Sequence, residues 1–202
     1  AELGAIESVL EAHSLDLAIA NHNSPSQVVL SGAIDALHTA HEVFSAQGMH
    51  AVSLNVAGAF HSPLMDSARE RFAAHLDDAD VCAPSQPVYS NVSASPYPLD
   101  AAQIRTVLGS QITAPVRFVE MIRAMYDDGI RTFVEAGPGK VLQSLVGAIL
   151  TDRPHQVIAL DASAGQAIEL EDLAIALAQL AAGGHDIDLQ QWDPAPPQAR
   201  AI

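Results

Sequence analysis

His61 stands in the stretch NVAGAFHSPLMDSARERF, residues 55–72, between Gly58, an aromatic residue and the Ser62-Pro63 pair that opens a helix. An imidazole has an ordinary pKa of about 6.5 and takes and returns a proton near neutral pH, so a histidine held in a short loop between a strand and a helix fits a general base. A structural histidine that caps the following helix fits the same spacing equally well. A base needs a nucleophile to act on, and the chain holds no G-x-S-x-G, the strained strand-to-helix elbow that exposes a serine.

Three other clusters invite a chemical reading. EAGPGKVL, residues 135–142, sets a glycine turn between a strand and a helix, where backbone N–H groups can face an anion. The phosphate-loop pattern also requires an earlier glycine and a Ser or Thr after the lysine, but Val141 follows Lys140, so a tight strand-to-helix turn is the better account. His38, His41 and Glu42 share a helical turn without a third strong ligand motif, and no metal is expected. Cys82 is a lone thiol with no basic neighbour in sequence, which disfavours a nucleophilic role.

The elements that must position these groups alternate. Leu3, Ile6, Val9 and Leu10 repeat at helical spacing, followed by a short strand over 15–20, the turn NHNSPS, and a β-branched strand over 27–31. Ile34, Leu37, Val43 and Phe44 then predict a helix ended by Gly48, and MHAVSLNV, residues 49–56, reads as a third strand. The order α-β-β-α-β is a ferredoxin-like βαββαβ unit lacking its first strand, as if the chain began inside a domain. Ser62 as N-cap and Pro63 at the first helical position launch a helix to about residue 79. SQPVYSNVS reads as a strand, PLDAAQIRTVLGSQ and PVRFVEMIRAMYDDG as helices, the second closed by Gly129. IRTFVEAGPGKVLQSLVGAIL runs strand, turn, helix, the grammar of a parallel α/β sheet. HQVIALD adds a strand, a last amphipathic helix follows, and from about residue 184 the composition becomes that of a surface tail.

Composition bounds the partners. The 202 residues are 49% hydrophobic, enough for a sizeable core, and 9 Lys+Arg against 24 Asp+Glu give a net charge of −15. That charge repels phosphate backbones and anionic lipid, so neither nucleic acid nor membrane is an expected partner. One cysteine cannot form an internal disulfide and suits a reducing, cytoplasmic compartment; neither a signal peptide nor an apolar span is evident.

ANHNSPSQVVLSG, GAFHSPLMDSARERF, PVYSNVSA, QITAPVRFVEMI and FVEAGPGKVLQSLV occur in this order in the chain. Together they resemble the acyltransferase domains of polyketide and polyunsaturated fatty acid synthases and the malonyl-CoA:acyl-carrier-protein transacylases. The resemblance implies an α/β fold: the C-terminal part of an α/β-hydrolase-like large subdomain over 57–160, with an inserted ferredoxin-like small subdomain, truncated, over 1–56. It makes 161–202 the linker that follows an acyltransferase. It also places the nucleophilic serine and the arginine for the malonyl carboxylate on sequence upstream of this chain.

Carried over by motif, His61 is the catalytic base, and the backbone carbonyl of Gln111, which opens Q-x-x-x-P-V-x-F, orients its ring where a triad would use a carboxylate. Because the carbonyl acts, the Gln111 side chain is expected to be dispensable. Asn21 and Asn91 are expected to line the pocket. Phe60, in an A-F-H sequence, implies preference for malonyl over methylmalonyl, since a phenyl ring fills the space an α-substituent needs. The implied partners are an acyl carrier protein, the upstream segment of the same domain and neighbouring synthase domains. Acyl-CoA is the substrate, phosphopantetheine is carried by the partner, and no bound cofactor is implied. Arg69 and Arg71, on the helix after His61, are candidates for carrier docking against the alternative of a solvated face. An acyl hydrolase on the same scaffold and a non-catalytic docking module are the competing functions.

Overall fold

The structure is a computed structural model that describes residues 1–166 and 169–188. The tail predicted beyond residue 184 lies, from residue 189 onward, outside the described residues. Two compact units divide the chain, one of residues 1–130 with 148–151, the other of 131–147 with residues from 152 onward. The predicted boundaries at 56 and 160 fall inside these units.

The first unit opens with helix α1 (Leu3–Ala12), strands β1 (Leu17–Ser24) and β2 (Gln27–Gly32), and helix α2 (Ile34–Ala46). The strands form an antiparallel hairpin closed by Pro25 and Ser26, with Ser24 opposite Gln27. Ile6, Val9 and Leu10 of α1 meet Ala40 and Phe44 of α2, and both helices cover the Leu17, Ile19, Val28 and Leu30 face of the hairpin. The three- and four-residue spacing in α1 is what aims one apolar stripe at the sheet. Gly48, at φ 73°, ends α2 as expected, and the Met49 N–H reaches back 2.9 Å to the Phe44 carbonyl.

The third strand predicted over 49–56 does not form. Met49 and Ala51 pack on the α1–α2 core, but Val52, Leu54 and Val56 are 66%, 58% and 62% exposed. Alternation specifies a strand only where another backbone pairs with it. Among the described residues the segment has no ladder, and its one internal backbone bond is a tight turn from Val56 N–H to Leu54 O.

Beyond the His61 loop come a 3-10 turn (Pro63–Met65) and helix α3 (Asp66–Asp77), then the short strands β3 (Tyr89–Ser90) and β4 (Ser95–Pro96). The expected SQPVYSNVS strand shrinks to this two-residue pairing because Ala94, at φ 52°, turns the chain back at once. Helix α4 (Ala101–Ser110) is capped by Asp100, whose carboxylate accepts the Gln103 N–H at 2.9 Å, and helix α5 (Phe118–Asp127) buries Val119, Met121 and Ile122. Helices α3 and α4 pack together, and Arg105 of α4 donates to the Leu76 and Ala79 carbonyls at 2.9 and 2.8 Å, beside the Ala79 N–H that the Leu76 carbonyl also accepts at the end of α3.

The second unit holds a parallel pair, β5 (Thr132–Pro138) and β6 (Gln156–Asp161), residues 141–147 of the connecting helix α6 (Val141–Ile149), and helix α7 (Glu169–Ala182) packed against β6. The chain is thus a mixed α/β structure. No described helix is long and apolar enough to cross a membrane.

Candidate active site

Segment 111–117, QITAPVR, joins the parts of the site. At its far end the Val116 N–H donates to the Ala20 carbonyl (2.8 Å), the Val116 carbonyl accepts the His22 N–H (2.9 Å), and the Arg117 N–H donates to the Asn91 carbonyl (3.0 Å). Its near end carries His61. The His61 N–H donates to the Ile112 carbonyl at 3.0 Å, while the ring Nδ1 lies 3.0 Å from the Gln111 oxygen and 2.9 Å from the Ala114 oxygen. Carbonyl oxygens only accept, so Nδ1 carries the proton and neutral His61 has Nε2 free to take one. Among the described residues no carboxylate hydrogen-bonds the His61 ring.

His61 sits at φ 58°, the left-handed region that costs a residue with a Cβ roughly 1–2 kcal/mol. Its backbone bond to Ile112 and two ring contacts hold it there. The loop is locked from below as well: Ser62, 1% exposed, turns its hydroxyl back to the Ala59 carbonyl at 2.6 Å instead of capping a helix. The helix predicted from Pro63 accordingly starts with a 3-10 turn and becomes α-helical only at Asp66.

His61, Phe60 and Gln111 line one cavity of about 300 Å³, walled also by Phe72 of α3 and by Leu108 and Ile112 at the end of α4. Four of its six lining residues are apolar, and the cavity opens to solvent beside the half-exposed Phe60. Asn21 and Asn91 are not among the lining residues; they join the same 111–117 segment, Asn21 by a bridge to Val116 and Asn91 through its carbonyl. The Oδ1 of Asn91 and the Nδ1 of His22, which follows Asn21 in β1, are buried without a hydrogen-bond partner among the described residues. Burial holds the His22 imidazole below its ordinary range, opposed by Glu120 and Glu7 and reinforced by Arg123.

Arg69 and Arg71 are two positions apart on α3, roughly 200° around the helix, and so do not share a face. Arg69 pairs with Asp66 at 3.0 Å and borders a cleft between α3 and α4, whereas Arg71 is exposed. The glycine turn of EAGPGKVL holds its own anion: the buried Glu135 carboxylate accepts the Leu142 and Gln143 N–H groups at 3.0 and 2.8 Å, at the start of α6. A phosphate would have to displace it. Cys82 is exposed, and among the described residues no three His, Cys, Asp or Glu gather as metal ligands.

Sequence points to neither Ile112 nor Ala114 by itself, although Ala114 lies within the QITAPV motif, and it marks Ser62 only as a helix cap. The cavity walls Phe72 and Leu108 follow only from how α3 and α4 cross.

The family described as "Acyl transferase domain" matches residues 2–176. A polyunsaturated fatty acid synthase subunit of Thraustochytrium sp. is 33% identical over 198 residues, covering 96% of this chain and 7% of that protein. The malonyl CoA-acyl carrier protein transacylase of Bacillus subtilis is 42% identical over 129 residues, 63% of this chain and 40% of its own length. Among solved structures, the acyltransferase domain from the second module of the salinomycin polyketide synthase superposes with a TM-score of 0.83 at 28% identity, covering all of this chain and 47% of that one. The chain thus spans less than half the length of each of these proteins.

Proposed function

The chain belongs to the acyl transferase domain family, and we propose that it supplies the general base and part of the acyl pocket for moving an acyl group, malonyl by preference, from coenzyme A to the phosphopantetheine thiol of an acyl carrier protein. The observation that carries this reading is His61, whose Nδ1 is fixed on the Gln111 and Ala114 carbonyls while the ring lines an apolar cavity. The nucleophile is a serine outside these 202 residues, and the chain forms the C-terminal part of a hydrolase-like lobe with a ferredoxin-like insertion.

In the first half-reaction Nε2 of His61 takes the serine proton as the oxygen attacks the thioester carbonyl; the C–S bond breaks and the coenzyme A sulfur leaves with that proton. In the second, Nε2 takes the proton of the carrier thiol, the sulfur attacks the serine ester, and the serine oxygen departs reprotonated. The paired backbone carbonyls keep the ring in one tautomer through both halves without a buried negative charge. Phe60 narrows the cavity beside the base.

The test uses the complete protein with malonyl-CoA labelled in the acyl group and a phosphopantetheinylated carrier protein. Label arriving on the carrier by way of an acyl-enzyme supports transfer. Label released as free malonate, with or without carrier, makes the protein a hydrolase, and no label on enzyme or carrier makes it a docking module.

A further inference from the structure

The hairpin β3–β4 grips the His61-holding segment at both of its ends. At one end the Asn91 carbonyl accepts the Arg117 N–H at 3.0 Å. At the other, the Gln111 side-chain amide donates to the hydroxyl of Tyr97, the residue that follows β4. Tyr97 is itself fixed, because its N–H donates to the Val88 carbonyl at 2.7 Å and extends the β3–β4 pairing, and both strands pack against α5. Between these two grips lie all three carbonyls that hold His61: Gln111, Ile112 and Ala114.

We propose that Tyr97 is a positioning residue for His61, acting through the Gln111 side chain to fix the Gln111 carbonyl that receives the ring Nδ1–H. The inference rests on the acyl-transfer reading of His61 and goes beyond it, since it gives work to a side chain that the carbonyl mechanism leaves idle. Gln111 sits at the end of α4, where helix constraints relax; its own N–H reaches the Leu108 carbonyl at 3.2 Å, the longer end of hydrogen-bond range. A side-chain tether there restricts rotation of the peptide whose oxygen faces His61. His61 in turn occupies a left-handed conformation that persists only while its surroundings impose it.

The experiment compares Tyr97→Phe, Gln111→Leu, the double variant and His61→Ala in the complete protein, using malonyl-CoA and carrier protein as substrates. Tyr97→Phe, which removes one oxygen atom, should lower kcat roughly ten- to a hundredfold with KM for both substrates nearly unchanged. Gln111→Leu should do the same from the other side, and the double variant should be no slower than the slower single variant. Gln111→Glu should recover much of the loss when Tyr97 is present, its carboxylate accepting the phenol proton, and none beside Tyr97→Phe. In histidine-labelled protein, the His61 Nδ1–H resonance should exchange with water faster in Tyr97→Phe than in wild type; a general packing defect elsewhere would not single out that proton. Unchanged kcat and unchanged exchange in Tyr97→Phe, with His61→Ala inactive, overturn the inference and leave the acyl-transfer reading standing. Full activity in His61→Ala removes that reading and this one with it.

Discussion

The Nδ1 of His61 lies 3.0 Å from the backbone oxygen of Gln111, fifty residues along the chain, so a neutral acceptor stands where a triad would place a carboxylate. On the acyl-transfer reading, loss of the imidazole removes the base and leaves no charge unpaired. His61→Ala in the complete protein should slow acyl-enzyme formation on the order of a hundredfold or more, read as label incorporated from malonyl-CoA. A rate within a factor of about two of wild type would make His61 structural.

Phe60 adjoins His61, is 49% exposed, and lines the same cavity as Phe72, Leu108 and Ile112. Removing its ring opens room for an α-methyl group, and one methyl is discriminated by about 1–3 kcal/mol in such pockets. Phe60→Ser should therefore raise the methylmalonyl to malonyl ratio of kcat/KM roughly ten- to a hundredfold. Equal loading of the two by the wild-type protein would show that Phe60 is not the selector.

With the chain at a net charge of −15, attraction of an acidic carrier, the partner in the proposed function, has to come from individual basic residues. Reversing Arg69 and Arg71 together should raise the KM for the carrier roughly threefold or more at low salt, an effect that fades as salt is added. The single variants should differ, because Arg71 is exposed while Arg69 is already engaged by Asp66. A salt-independent, unaltered KM in the double reversal would identify both as a solvated helix face.

Arg105 joins α4 to the end of α3 by two charge-assisted bonds, to Leu76 and Ala79. Arg105→Met keeps most of the stem and loses both, leaving the carbonyls to water where water can reach them. The expected cost is about 1–3 kcal/mol in a denaturant titration, with acyl transfer by the surviving folded protein little changed.

Burial sets the folded pKa of His22 below its ordinary value. As pH falls below about 6.5 the unfolded chain takes up a proton that the folded chain resists, so stability declines on acidification and levels off once the folded imidazole also titrates. Glu120 and Glu7 limit the effect and Arg123 adds to it. Comparing melting temperatures at about pH 7.5 and about pH 5.5, His22→Phe should lose less than wild type. An equal or greater loss in the variant would show that His22 contributes nothing to the acid sensitivity.

Local rules carried much of the chain without reference to its fold. Apolar spacing points to α1 and α2, and glycines at 48 and 129 end α2 and α5 because each adopts a positive φ there. The motif order led to His61 and to the Gln111 carbonyl because those residues lie within short contiguous patterns. What sequence could not decide depended on partners remote in the chain. Residues 49–56 alternate like a strand yet form none, since pairing belongs to two backbones and not to one. Ser62 has the residue type and place of an N-cap, but burial turned its hydroxyl to Ala59. Arg69 and Arg71 are neighbours in sequence and point apart because a helix turns roughly 100° per residue. The second carbonyl on His61, from Ala114, and the Tyr97 grip on Gln111 exist only once β3–β4, the end of α4 and the His61 loop meet on segment 111–117. A hydrogen bond across such distances in sequence leaves no periodic trace; it is a property of the packed arrangement.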